Sequence, residues 1–593
     1  MRVLRLLTLA AVLAIAYFAQ VLFDRASLAG FYPPQLLDFL PFLTPTTTWL
    51  SNDLHTLGLW LLAVAAIGFG LLAPTWVEDA TAGAGAGRAD RPRRSWIWLA
   101  VILAAAALML AWAGTALPVR VDGRVARMGL QAQALWRTGG FSLFTLDSSG
   151  APGVAYLPAG LTMWAAGDAL AGAQALGLIA ALATVGGTWL VGSELFRRRG
   201  SSGQGMAILA AGLTLACVAL LHFGRLAPFL PATAVGTFAG WALLIGVRTG
   251  RRTVLVIGGL LAGLAPLLGR SGIVFVPILL LWWIGLWLHP RAAAPGVRRA
   301  GWTDFLLWLG ALGVIAAPVA VAWLGAPHLF AAYWQGEIAG GATIIDLWAN
   351  LRHTLFTFFW TPDASTVFGG GGHFVGSIVA PLFVLGTAAL VLAIDRLVGW
   401  CLLTWIGVTI LFSSLANLAA PDWPTLLPLI PAVGLTICFA LDRIGQQWVD
   451  TTDANNDLAA VSLGSGLLVA VAFFTWISFF PFASLTGDPA SYTGRALRSL
   501  APDTVAVLAA SNAENAVRLD DPIVQYVAGP RAGQALALAA TALPASLPPG
   551  SVVIVQPQDS QAQSAVRARY PQSQLDVTRD LRSNPRLFVY RIP

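Results

Sequence analysis

Apolar runs recur along this chain, each about 17–22 residues long, and they limit its fold more than any other feature. A helix of about 20 such residues is roughly 30 Å long, the thickness of a hydrocarbon core. Runs of this kind lie at 3–23, 56–74, 95–114, 174–193, 206–223, 231–247 and 253–269. Six more lie at 273–289, 303–324, 377–394, 400–419, 424–441 and 460–483. The pattern predicts a mainly α, polytopic transmembrane helical bundle of about 13 spans.

Composition closes off the alternative of a water-soluble fold. The 593 residues are 57% hydrophobic and 11% charged, against about 25% charged residues in soluble domains. The net charge of +7 does not point to nucleic acid, because the basic residues, all Arg, sit in short clusters between apolar runs. That is the pattern of a topology signal. Cys217, Cys401 and Cys438 all fall inside apolar runs, so no disulfide or thiol–metal site is expected.

Arg placement predicts the direction of threading. Arg2 and Arg5 precede the first run, and Arg88, Arg91, Arg93 and Arg94 precede the third. Further clusters at Arg197–Arg199, at Arg248, Arg251 and Arg252, and at Arg291, Arg298 and Arg299 occupy alternate loops. All fall on one side if the N-terminus is cytoplasmic. The expected setting is the inner or plasma membrane, with the C-terminal tail outside.

Three units are expected. Residues 1–94 form a two-span extension with a Gly/Arg-rich cytoplasmic linker, and residues 95–484 form the transmembrane core. Outer loops at about 115–173 and 325–376 are too long to be plain connections. In the first, Val154–Leu170 is broken by Pro158 and Gly160, so it is expected to lie along the interface or re-enter. Residues 485–593 are polar and read as a small extracytoplasmic α/β domain. Strands are predicted at Thr504–Leu508, Ser551–Val555 and Leu587–Ile592, and helices at Gln534–Ala542 and Ser560–Arg569.

The residues that could carry chemistry gather in the outer loops. Arg120-Val121-Asp122-Gly123-Arg124 follows directly on a span. A carboxylate between two Arg is held in orientation, as a general base taking a proton from a hydroxyl requires; it could equally be a solvated, ion-paired loop residue. Charges at a membrane edge are costly, so Arg225 and Arg270 invite a functional reading. A guanidinium presents a fixed fork of donors that suits a phosphate, although snorkelling to headgroups is the plain alternative. His222, His328, His353 and His373 are dispersed, with no metal-ligand spacing. The Gly369–Gly372 run before His373 suits either a lid or a simple turn.

The order of these features resembles a known family. An Asp-bearing loop follows a span, and then come a helical stretch from Val125 to Thr138 and the Tyr156-Leu157-Pro158 segment. The next span ends in Gly192-Ser193-Glu194-Leu195-Phe196-Arg197-Arg198-Arg199, and the one after it in His222-Phe223-Gly224-Arg225. The succession resembles membrane glycosyltransferases of the GT-C superfamily, in particular bacterial relatives of dolichyl-phosphate-mannose–protein mannosyltransferases and of the lipid A aminoarabinose transferase. It covers about residues 95–290. Over 300–445 the likeness is looser, carried by Pro421-Asp422-Trp423-Pro424 and Leu427-Pro428-Leu429-Ile430-Pro431.

The resemblance implies an inverting transfer of a sugar from a polyprenyl-phosphate donor to a protein, lipid or glycan acceptor at the outer membrane face. Asp122 takes the base role by position, Arg225 and Arg270 the donor phosphate, and Arg120, Arg124, Tyr156 and His373 supporting roles. Where the family often has Asp-Glu, this chain has Asp122-Gly123, so a second acid has to come from elsewhere, with Glu337 and Asp346 as candidates. No cofactor is indicated, and a divalent metal is left open. Membrane lipids are expected neighbours and nucleic acid is not. Competing readings are an inactive GT-C-like scaffold, a polytopic transporter, and a polysaccharide polymerase or ligase.

Overall fold

A computed structural model describes residues 93–112, 114, 120–138, 146, 147, 149–197, 201–226, 229–288, 301–335, 344–358, 373–376, 378–416, 420–452, 464, 466–475, 479, 487–512, 516–580 and 583–593. The expected runs at 3–23 and 56–74 lie outside these residues.

Among the described residues, six helices are long and apolar enough to cross a membrane. They are Ala169–Leu195, Leu230–Thr249, Arg270–Leu288, Trp302–Gly325, Leu397–Leu415 and Leu429–Gln446. Shorter apolar helices cover Trp96–Ala111, Gly203–Ala216, Arg252–Leu268, Ala380–Leu392 and Gly466–Thr475. The expected run at 206–223 is interrupted: helix Ser201–Leu213 gives way to a 3-10 turn at Thr214–Ala216 and then to helix Val218–Leu226.

Helix Ala169–Leu195 is the spine of the bundle. Its 27 residues give a length of about 40 Å. The Asp168 carboxylate caps it by accepting the Ala171 N–H at 2.8 Å. Small residues let its neighbours approach closely, the usual means of helix association where apolar surface alone gives no drive. A methyl group at Gly177 would meet the backbone of Gly224 at 2.8 Å, and between helices Arg252–Leu268 and Trp302–Gly325 one at Gly263 would meet the Leu312 carbonyl at 2.5 Å. The far end of the spine is pinned by a two-pronged pair. Arg248 donates from Nε and Nη2 to the Glu194 carboxylate at 2.7 and 2.9 Å.

Helix Trp302–Gly325 is the most outward-facing of the six, with 17% of its apolar window buried. Leu306, Val314, Val321 and Leu324 stand exposed on it. Exposed Trp96, Trp98, Trp112, Trp164 and Trp302 lie at or near helix ends, the positions where Trp marks a membrane interface. Pro158 sits in the first turn of a short helix, Leu157–Ala166, which runs through Gly160 and is ended by Gly167 at φ 66°.

The C-terminal unit is a five-stranded sheet, built from β1 (Ala506–Ala510), β2 (Leu536–Ala539), β3 (Val552–Val555), β4 (Gln574–Arg579) and β5 (Pro585–Arg591). The order is β2-β1-β3-β5-β4, with β1 parallel to β2 and β3, and β5 antiparallel to β3 and β4. Helices Pro489–Ser499 and Pro522–Ala528 and helix Ser560–Arg569 contribute to apolar cores on its two faces. The predicted helix at Gln534–Ala542 is replaced by strand β2 between two 3-10 turns. Its Ala-Leu composition favours helix locally, but pairing with β1 overrides that weak preference.

This domain rests on helix Gly123–Thr138. The Tyr526 ring occupies the space a side chain at Gly129 would need, 2.1 Å from its would-be Cβ. Arg498 donates to Asp168 at 2.9 Å, so the sheet domain touches the start of the spine.

Candidate active site

Asp122 sits immediately before helix Gly123–Thr138. Its carbonyl accepts the Ala126 N–H at 2.9 Å, the first turn's bond. Its Oδ1 accepts the Arg124 N–H at 2.8 Å and the Arg124 Nε at 3.3 Å. The side chain is therefore a helix cap as well as an ion-pair partner. Both contacts fall on Oδ1, and among the described residues Oδ2 takes no hydrogen bond.

The same Arg124 reaches across the molecule, donating from Nη1 to Asp422 Oδ1 at 3.1 Å. Both carboxylates are close to buried, at 11% and 10% side-chain exposure, while Arg124 keeps 38%. Burial disfavours the Arg124 cation, but the Asp422 and Asp122 charges outweigh it and raise its pKa above the ordinary value. Asp422 is set by its own loop. Its carbonyl accepts the Thr425 N–H at 3.1 Å and hydroxyl at 2.7 Å, and that hydroxyl also meets Ser413 Oγ at 2.7 Å.

Arg270 stands beside this pair, within the fields of Asp422, Tyr333 and Arg124. Its Nη2 donates to the Ala416 carbonyl, and its buried Nε has no hydrogen-bond partner among the described residues. Tyr333 donates to the Pro266 carbonyl at 2.8 Å and lies within the field of Asp147. Asp147 accepts the Tyr156 hydroxyl, and its other oxygen takes Ser149 N–H at 2.8 Å and Ala151 N–H at 2.9 Å. Burial first, and then Asp147, push the Tyr156 phenol up from its ordinary value.

The residues read from the sequence thus divide. Asp122, Arg124 and Arg270 share one electrostatic neighbourhood at one end of the bundle, and Tyr156 is joined to it through Asp147 and Tyr333. Arg120 turns toward the sheet domain, 3.8 Å from Asp488. Arg225 is fully buried. It donates to the Met109 carbonyl at 3.0 Å and to that of Trp112, satisfying the end of helix Arg93–Ala111. That placement accounts for Arg225 without a ligand. His222 is buried in the fields of Asp122 and Arg225, its ring edge-on to Phe479. His373 is buried too, and its neighbour Phe374 packs edge-on against Trp423 at 5.6 Å, next to Asp422. Glu337 lies outside the described residues, and of Asp346 only the backbone, in helix Ile344–Phe356, is described.

Three residues of this neighbourhood were not singled out in the sequence, Asp147, Tyr333 and Ser491, and Asp422 was noted only as part of the Pro421-Asp422-Trp423-Pro424 loop. Ser491 Oγ accepts the Val121 N–H at 3.0 Å, fixing the backbone one residue before Asp122. Among the described residues no group of three or more His, Cys, Asp or Glu side chains is placed to hold a metal ion. The position between the Asp122 and Asp422 carboxylates is taken by a guanidinium.

No family model matches the chain, and no curated protein matches it. Among solved structures it is similar over 84% of its length to 97% of ArnT from Cupriavidus metallidurans bound to undecaprenyl phosphate, at 14% identity and a TM-score of 0.48. It is similar over 76% of its length to 64% of the Archaeoglobus fulgidus oligosaccharyltransferase tethered with an acceptor peptide, at 12% identity and a TM-score of 0.46. It is also similar over 73% of its length to 44% of the arabinosyltransferase EmbB from Mycobacterium smegmatis, at 15% identity and a TM-score of 0.29. At such identities, what this site can do has to be read from its own side chains.

Proposed function

We propose that the chain is a membrane glycosyltransferase that moves a sugar from a polyprenyl-phosphate donor to an acceptor hydroxyl at the end of the bundle bearing Asp122. The observation that carries this reading is the bridge from Asp122 through Arg124 to Asp422, with Arg270 alongside. It sets a base, an orienting cation and a phosphate-binding cation in one neighbourhood, which is the minimum such a transfer needs.

Asp122 Oδ2 takes the proton of the acceptor hydroxyl while its oxygen attacks the anomeric carbon. The bond from that carbon to the phosphate oxygen breaks on the opposite face, so the configuration inverts. The negative charge gained by the leaving phosphate is met by Arg270, whose unpartnered Nε is a donor already in place. Asp422 supplies the second carboxylate missing after Asp122, and through Arg124 it holds Asp122 in orientation. Outer-face chemistry, the C-terminal domain outside and residence in the plasma membrane all belong to this reading.

The capping contacts favour a second reading, in which Asp122 only starts a helix and the chain is a non-catalytic scaffold. Purified full-length protein in lipid nanodiscs, given radiolabelled polyprenyl-phosphate sugars and a panel of hydroxyl acceptors, separates the two. Transfer that falls by about 10²–10⁴-fold in Asp122→Asn supports the base role. No transfer from any donor, or equal transfer by both proteins, overturns it.

A further inference from the structure

The last carbonyls of a helix have no partner within it, and in helix Arg252–Leu268 one of them is met from a distant element. Tyr333, on helix Pro327–Gln335, donates its hydroxyl to the Pro266 carbonyl at 2.8 Å. That carbonyl stands four residues before Arg270, where the chain turns. Gly269 is extended, and Arg270 opens a 3-10 turn, Arg270–Val274. The turn lies directly on the helix end. Gly272 N–H donates to the Gly269 carbonyl at 2.8 Å, and a Cβ at Gly272 would overlap the Ala265 carbonyl. Whatever holds Pro266 therefore holds the backbone from which Arg270 projects.

Tyr333 is itself held on several sides. It is 8% exposed, and its ring lies 5.1 Å from that of Trp323, tilted by 31°. Trp323, near the end of helix Trp302–Gly325, donates from Nε1 to the Gly150 carbonyl at 2.9 Å. Gly150 has φ 74°, and a Cβ there would overlap the Leu329 carbonyl, one turn before Tyr333. Only glycine fits such a position. Gly150 belongs to the turn that opens at Asp147, whose Oδ1 accepts the Ser149 and Ala151 N–H groups. The Asp147 turn and helix Pro327–Gln335 thus interlock, and the contact chain ends on Pro266.

We propose that Tyr333 is a positioning residue, whose hydroxyl sets the turn carrying Arg270 and so sets how well Arg270 meets the donor phosphate. The head of Arg270 is tied to the Ala416 carbonyl, and its backbone is fixed through Pro266. With its proton committed to Pro266, Tyr333 acts through Arg270 rather than on the phosphate. The inference rests on the reading of Arg270 as the phosphate-binding cation, and adds a residue to it.

The test uses full-length protein in lipid nanodiscs with two readouts: saturation by tritiated undecaprenyl phosphate, and kcat and KM for transfer from a polyprenyl-phosphate sugar. Tyr333→Phe removes the hydroxyl and keeps the ring. Binding of undecaprenyl phosphate and KM for the lipid donor are expected to weaken by about three- to tenfold, with KM for the acceptor unchanged. In an Arg270→Gln background, Tyr333→Phe is expected to add no further loss in kcat/KM, because the two act as a unit. Thermal unfolding shows which variants fold. If Tyr333→Phe does not, Trp323→Phe, which removes the bond to Gly150, takes its place with a smaller loss in the same direction. Donor binding unchanged in the folded variants, a loss that is additive with Arg270→Gln, or a fall in kcat alone overturns the role of Tyr333. Wild-type binding retained in Arg270→Gln overturns the phosphate role of Arg270 and this inference with it, whereas loss in Arg270→Gln without loss in Tyr333→Phe overturns only the latter.

Discussion

Arg124 Nη1 donates to Asp422 Oδ1 at 3.1 Å across 298 residues of sequence. That bond joins the start of helix Gly123–Thr138 to the residues just before the short helix Trp423–Leu426. If it orients Asp122, Arg124 and Asp422 act as a unit and their substitutions are not additive. In a double-mutant cycle of Arg124→Gln and Asp422→Asn, read as kcat/KM for transfer, the coupling is expected to be about 1–2 kcal/mol. Additive losses would separate Asp422 from the site.

The sheet domain holds the same loop from the other side. Ser491→Ala leaves the Val121 N–H without its acceptor in a buried position, a cost of about 1–3 kcal/mol. Transfer is expected to fall through kcat with little change in KM for the donor, and Ser491→Thr, which keeps the hydroxyl, is expected to restore it. A drop in thermal stability with kcat unchanged would make Ser491 a packing residue only.

At the opposite end of the spine, Glu194→Gln breaks the two-pronged pair with Arg248. The pair is mostly shielded, with side-chain exposures of 11% and 27%, and losing a charged hydrogen bond of this kind costs about 1.5–3 kcal/mol. The expected outcome is a lower Tm with transfer at low temperature intact. Loss of transfer at equal Tm would give Glu194 a part in the chemistry.

Acid should loosen the sheet domain before the bundle. Burial alone would push the Asp580 carboxyl up, but the Asn584 N–H at 2.9 Å and the Arg586 guanidinium at 2.8 Å hold it below its ordinary value. Asp559 is held down in the same way by Ser511 and Ala562. A depressed folded pKa stabilises above the unfolded value of about 3.9, and that contribution is lost as pH falls through the folded pKa. Proteolytic susceptibility of residues 487–593 is expected to rise below about pH 4, and Asp580→Asn should flatten that rise.

The helices of the bundle were legible because their apolar composition is itself the signal, and Asp122 and Arg270 drew notice because charge at the edge of an apolar run stands out. Asp422 was visible as a residue of the Pro421-Asp422-Trp423-Pro424 loop, but nothing in one sequence says that Arg124 would reach it. Arg225 is ambiguous in sequence for a related reason: an isolated Arg at a helix end looks the same whether it meets a phosphate or carbonyls such as those of Met109 and Trp112. Strands β2 and β4 escaped because they are short edge strands with exposed, mixed side chains, for which pairing supplies the stability that pattern does not.

The bond from Val121 to Ser491 also has a consequence in time. Synthesis runs from the N-terminus, so the Asp122 loop leaves the ribosome 370 residues before its Ser491 partner. The helices can thread while the loop is still untethered, and a nascent or truncated chain lacking the sheet domain lacks the Ser491 hydroxyl that fastens Val121. The backbone beside Asp122 is thereby set only once the sheet domain has been made.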